Sequence, residues 1–217
     1  MPTIYIAGDS LAANKSEQKK PESGWGEFLD SYIPANYRVS NHAINGRSSK
    51  SFIDEGRLDA ITKEIKQGDL LLIQFGHNDQ KKIDPSRYTD PDHLFQDNLK
   101  LFIETAKSHQ AKPILLTPVT RRSFVDDRIL DGETLGKYPD AIRWVSKATK
   151  TPLIDVFEIT QALVSSLGFE GSKRLYLHLK PSEHPNYPDG AQDNTHLSIE
   201  GADLIASLIG LSLRKLI

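Results

Sequence analysis

The chain holds 217 residues, with 27 lysines and arginines against 29 aspartates and glutamates, a formal net charge of -2. Apolar residues make up 38% and charged ones 26%, a balance that can bury a core and excludes a disordered chain. Near-neutral charge offers no general attraction to nucleic acid or anionic membranes. The absence of cysteine excludes a disulfide scaffold, a thiolate nucleophile, zinc–thiolate sites and iron–sulfur clusters.

The length suits one domain over residues 1–217. The start has no basic lead-in, and no run reaches the roughly 20 apolar residues of a membrane span, so a cytoplasmic protein is expected. In chain order, residues 3–7 read as a strand, 25–33 as a helix, 37–43 as a strand and 52–66 as a helix. A strand at 70–75 precedes a segment, 80–91, that fits no element. Residues 93–108 then form a helix with Phe95, Leu99, Phe102, Ile103 and Ala106 on one stripe. A strand at 113–117 leads into a second unassigned stretch, 118–139, followed by a helix at 141–150, a strand at 153–156 and a helix at 157–167. The last unassigned stretch, 170–194, is stiffened by Pro181, Pro185 and Pro188, and a helix at 199–217 closes the chain. Three of the strands are nearly continuous apolar runs, the mark of strands covered on both faces. The expectation is an α/β/α three-layer domain with a doubly wound, five-stranded parallel sheet.

Such sheets bind ligands beyond the C-terminal ends of their strands. The candidate segments on that side are all polar or glycine-rich: Gly8-Asp9-Ser10, Asn45-Gly46-Arg47, Gly76-His77-Asn78-Asp79, Val119-Thr120-Arg121-Arg122, and the late loop ending Asp193-Asn194-Thr195-His196. Ser10 could be a nucleophile given a base, or simply part of a turn. His196 is the best base, with Asp193 three residues earlier able to aim a carboxylate at one ring nitrogen. Alternatively, Asp193, Asn194 and Thr195 cap the helix that follows. Gly46 can bring a backbone N–H close to a ligand or simply complete an Asn-Gly turn, and the Asn78 amide can reach the same point or order its loop; with the Ser10 N–H they offer three oxyanion donors from three strand ends.

Taken together, Gly8-Asp9-Ser10, Gly46, Gly76-His77-Asn78-Asp79 and Asp193-x-x-His196 resemble the four sequence blocks of the SGNH (GDSL-type) hydrolases, whose fold is flavodoxin-like. Gly24-Trp25-Gly26 and Gly46-Arg47-Ser48-Ser49 are similar to the rhamnogalacturonan acetylesterase branch of that superfamily. The resemblance implies a serine esterase that removes acetyl groups from pectic oligosaccharides through an acetyl-serine intermediate. Ser10, Asp193 and His196 would be the triad, Ser10, Gly46 and Asn78 the oxyanion donors, and no metal or organic cofactor would be required. Acetylated xylan fragments and small acetyl esters suit the same chemistry.

For substrate contacts, Trp25 could stack on a sugar or pack in the core. Arg47, Arg121 and Arg122 could meet a galacturonate carboxylate. His77 and Asp79 could position Asn78 or touch substrate, and His178, Glu183, His184 and Tyr187 could line the cleft. Two other classes compete. Asp9, His77, Asn78, Asp79, Asp193 and His196 could serve a metal-dependent phosphoesterase, although the spaced Asp/His pairs of a two-metal site are missing. A catalytically inert carbohydrate-binding protein is opposed by the intact motif positions. Monomer and homodimer are equally compatible with the sequence.

Overall fold

The computed structural model describes residues 1–217. Its strands and helices run β1 (Thr3–Gly8), β2 (Arg38–Asn41), α1 (Ser49–Asp54), α2 (Arg57–Thr62), β3 (Leu70–Gln74), α3 (Leu94–Ser108), β4 (Lys112–Leu116), β5 (Phe124–Val125), β6 (Ile129–Leu130), α4 (Tyr138–Thr149), β7 (Leu153–Ile154), α5 (Val156–Gly171), β8 (Tyr176–Leu179), β9 (Ala191–Leu197) and α6 (Ile199–Leu213). Five strands pair in parallel in the order β2-β1-β3-β4-β7. The chain leaves β1 toward one edge and returns through β3 toward the other, so the switch point lies between β1 and β3.

Alternate side chains of the buried strands feed two cores. Ile4, Ile6, Leu70 and Leu72 pack with Trp25, Leu29 and residues of α5 and α6, while Tyr5, Ala7, Leu71 and Ile73 pack with α1 to α4. This double coverage explains why these strands lack polar alternation. The predicted three-layer, doubly wound α/β sheet is the fold observed.

Four local expectations are corrected. The helix expected at 25–33 is two short 3-10 turns, Trp25–Glu27 and Leu29–Tyr32. A Cβ on Gly24 would lie 2.2 Å from the Ala13 carbonyl oxygen, and one on Gly26 2.4 Å from that of Ala12, so this segment is shaped by close backbone approach. The helix expected at 52–66 is broken into α1 and α2 by Gly56, whose φ of 69° leaves the helical region. The stretch 118–139 contains the β5–β6 hairpin and the start of α4. The stretch 170–194 contains most of a second antiparallel pair, β8 with β9. Both pairs lack the apolar alternation that marks half-buried strands.

Candidate active site

All five residues of the expected triad and oxyanion hole gather at the C-terminal edge of the sheet. The fully buried β1 ends in a turn in which the Asp9 carbonyl accepts from the N–H groups of Ala12 (3.2 Å) and Ala13 (3.0 Å). The Asp9 Oδ1 accepts from the Leu11 N–H at 2.9 Å. That tight turn leaves Ser10 at its crest, and Ser10 Oγ stands 3.1 Å from His196 Nε2. The other ring nitrogen, His196 Nδ1, is 2.7 Å from Asp193 Oδ2.

The spacing of Asp193 and His196 follows from a bulge. In the β8–β9 pair, Tyr176 faces Leu197 and His178 faces Gln192, so Leu177 alone opposes the four residues Asp193 to His196. The surplus residues fold out of the ladder, as bulges beside active sites do. Asp193 Oδ1 holds their shape by accepting from the N–H groups of Thr195 (2.7 Å) and His196 (2.9 Å). Burial works to raise the Asp193 pKa, but the bonds from the His196 ring and from the two backbone N–H groups outweigh it and bring it to about 2. A carboxylate that stays ionised well below neutral pH thus fixes the ring so that Nδ1 donates to it and Nε2 faces Ser10. The helix α6 is capped by Ser198, which accepts from the Gly201 N–H at 3.0 Å, so the capping alternative for Asp193 is set aside.

Gly46 follows β2 with φ of 77°, a left-handed backbone that favours glycine. Neither its N–H nor that of Ser10 donates to a backbone carbonyl, so both are free to bind a ligand oxygen. Asn78 Nδ2 uses one hydrogen on the Arg47 carbonyl at 3.1 Å and keeps the other. Behind it, buried Asp79 accepts from the Ser49 N–H and Oγ–H, the Gly76 N–H and the Thr89 hydroxyl, tying three segments together.

The substrate contacts expected from the sequence separate sharply. Trp25 is 0% exposed and donates from Nε1 to Gln74 Oε1 at 2.7 Å, so it is a core residue and offers no face to a sugar. His77 is buried, with Nδ1 3.4 Å from Asp9 Oδ2, and is closed to substrate. Arg122 is also buried: it bonds Ser172 Oγ (3.1 Å), Asn194 Oδ1 (2.9 Å) and the Phe169 carbonyl, with its guanidinium 4.4 Å from the Phe169 ring centre. It is a strut under the bulge. Arg47 is half-exposed and held by Glu55 at 3.0 Å. Arg121 remains beside the triad, donating from Nη1 to Thr195 Oγ1 at 2.6 Å; burial lowers its pKa while the Asp9 and Asp193 carboxylates oppose that. Of the late loop, His178 Nε2 pairs with Asn194 Oδ1 at 2.8 Å and Tyr187 donates to the Lys19 carbonyl at 2.9 Å. No three His, Asp or Glu side chains gather as a metal-binding group.

Lys15 and Glu22 escaped the reading of the sequence. Both are buried near the nucleophile and form an ion pair at 2.8 Å. Nothing local in the sequence signals it, because burial comes from the loop folding back on β1.

A family model described as GDSL-like lipase/acylhydrolase matches residues 6–204. Over 213 residues the chain is 43% identical to rhamnogalacturonan acetylesterase RhgT of Bacillus subtilis (strain 168), covering 98% of this chain and 90% of that protein. It is 36% identical over 216 residues to the probable rhamnogalacturonan acetylesterase YesY of the same organism, covering 98% and 93%. The crystal structure of Bacillus subtilis YxiM superposes with a TM-score of 0.79 at 29% identity over 99% of this chain, which spans 56% of that longer chain. Axe2, an acetylxylan esterase from Geobacillus stearothermophilus, superposes with a TM-score of 0.68 at 16% identity, over 96% of this chain and 92% of its own; at that identity the likeness is one of fold.

Proposed function

The chain belongs to the GDSL-like lipase/acylhydrolase family and is an acetylesterase, and from that premise we propose that it deacetylates rhamnogalacturonan oligosaccharides through Ser10. The observation that carries the mechanism is the unbroken line from Ser10 Oγ through the His196 ring to Asp193, at 3.1 and 2.7 Å. His196 takes the Ser10 proton as Oγ attacks the acetyl carbonyl. The Ser10 and Gly46 N–H groups and the Asn78 amide hold the resulting oxyanion. Collapse of the adduct breaks the sugar–acyl bond, and His196 gives its proton to the departing sugar oxygen. A water molecule, deprotonated by the same ring, then attacks the acetyl-serine and releases acetate with Ser10 restored.

RhgT and YesY direct the substrate reading toward acetylated pectic fragments. Arg121, the guanidinium adjoining the triad through Thr195, is suited to a galacturonate carboxylate. Acetylated xylan fragments, which carry the same acetyl ester on a neutral backbone, are the second reading. Acetate release from a panel of acetylated pectic and xylan oligosaccharides, compared by kcat/KM, decides between them: equal values on both would overturn the pectic assignment. Ser10→Ala is expected to lower kcat on an aryl acetate by about 10⁴ or more with folding retained. Retained turnover would remove Ser10 as nucleophile, and loss of activity to a chelator would favour the phosphoesterase class instead. No helix is long and apolar enough to cross a membrane. The same proposal places the enzyme in the cytoplasm, as a monomer or homodimer, for which cell fractionation and light scattering are the checks.

A further inference from the structure

Lys15 takes no part in the proton relay, yet its side chain is 0% exposed. Its Nζ donates to the Ser10 backbone carbonyl at 2.6 Å and to Asn45 Oδ1 at 2.7 Å, and it pairs with Glu22 Oε1 at 2.8 Å. An ammonium has three hydrogens, and these acceptors use all of them. One of the three belongs to Ser10, which supplies a free N–H to the oxyanion hole, and another to Asn45, which immediately precedes Gly46, the source of a second N–H.

Those two N–H groups come from the exits of different strands, β1 and β2. The turn beyond Gly8 and the loop at Gly46 touch through the Ile44 N–H on the Gly8 carbonyl, at 3.1 Å. Past that bond the backbone carries the left-handed Gly46, a residue with wide conformational freedom. Two donors stabilise one oxygen only if both point at it before the reaction begins. A brace between the Ser10 carbonyl and the Asn45 side chain is what their convergence requires, and Lys15 is that brace. A buried ion pair is a weak source of stability compared with apolar packing of the same volume. Its placement across the two donor segments supplies another reason for it.

We propose that Lys15, held by Glu22, is a positioning residue that fixes the Ser10 and Gly46 N–H groups relative to each other and so sets the oxyanion hole. The inference rests on Ser10 being the nucleophile.

The test compares the parent enzyme with Lys15→Met, the charge-balanced pair Lys15→Met with Glu22→Gln, and Asn45→Ala, using p-nitrophenyl acetate and methylboronic acid. The boronate adds to the serine and presents a tetrahedral oxygen to the hole. In the Lys15 variants kcat is expected to fall about 100-fold with KM within about threefold, and the boronate Ki to weaken by a factor similar to the loss of kcat. A merely structural loss would lower the active fraction and leave Ki unchanged. Removing both charges avoids leaving Glu22 uncompensated, so the pair folds more readily than Lys15→Met alone. Asn45→Ala keeps the ion pair and the Ser10 bond, and is expected to lower kcat about tenfold. A folded Lys15 variant with kcat within about threefold of the parent, or with kcat lost and Ki intact, overturns the proposal; so does unchanged kcat in Asn45→Ala if the Lys15 variants do not fold. Ser10→Ala is measured alongside. If it stays active, the serine reading itself fails, whereas an inactive Ser10→Ala beside an intact Lys15 variant defeats the Lys15 inference alone.

Discussion

Asp193 and Asp79 are two partly or wholly buried carboxylates pushed in opposite directions. For Asp193, burial raises the pKa but the His196 ring and two backbone N–H groups bring it down to about 2. Its contribution to stability is therefore complete above the ordinary aspartate range and is lost as pH falls toward 2. Asp193→Asn keeps the shape but lets the ring adopt the wrong tautomer, and kcat is expected to fall by about 10⁴ with little change in KM, read on an aryl acetate. For Asp79, burial dominates its donors from Ser49 and Thr89, and the nearby Asp9 adds to it, raising the pKa to about 7. Its favourable contribution is present below about pH 4 and is lost as pH rises through 7. Denaturant unfolding from pH 5 to 8 should show the parent losing stability relative to Asp79→Asn as pH increases; a parallel pair of curves refutes this. At this scale the sequence pointed to Ser10, Gly46 and Asn78 because each follows a strand in a short motif, and to Asp193 and His196 by their spacing of three. It left Trp25, His77 and Arg122 open between structure and substrate contact, and was silent for Lys15, because burial depends on chain segments far from those positions.

The element that carries half of the relay is a distorted hairpin. The bulge opposite Leu177 displays Asp193 and His196, and its middle residues have no ladder partners to hold them. They are held from the side instead: the Arg122 N–H donates to the Asn194 carbonyl at 2.8 Å, and its guanidinium reaches Asn194 Oδ1 while stacking on Phe169. Arg122→Ala removes a buried guanidinium that donates to Ser172 Oγ, Asn194 Oδ1 and the Phe169 carbonyl at once, and is expected to cost about 2–4 kcal/mol of stability, measured by denaturant unfolding. In the folded fraction kcat should also fall, because the bulge loses its strut. Arg122→Lys restores the charge without the planar fork and should recover little of either. The hairpin was invisible in the sequence for the same reason that it works. Its strands are polar where they hold the chemistry, and the bulge breaks the period of two that reveals a strand. The central strands were legible because coverage on both faces demands continuous apolar runs.

Across the whole molecule, the doubly wound sheet brings residues near both ends of the chain to one edge, with Ser10 after β1 and His196 at the end of β9. The three-layer order was readable from the alternation of apolar strands and helical stripes, whereas the break around Gly24 and Gly26 depended on tertiary contact and the one at Gly56 on a single glycine taking a left-handed backbone. The long-range field is weak. With a net charge of -2, the protein has no overall attraction for an anionic uronate chain. Attraction is left to local guanidinium groups, Arg121 first among them, whose charge the Asp9 and Asp193 carboxylates partly offset. Local contacts within about 8–10 Å escape much of the screening that removes steering. The kcat/KM for acetylated pectic oligosaccharides should therefore change less than about threefold between roughly 20 and 200 mM salt. Arg121→Gln separates two roles of that side chain, since it also pins Thr195 in the bulge. If it binds the uronate carboxylate, its loss should lower kcat/KM about tenfold more on the pectic substrate than on a neutral acetylated xylooligosaccharide. Equal losses on both would mean that Arg121 acts only through the bulge, and the uronate contact would have to be sought elsewhere, with Arg47 at the rim as the next candidate.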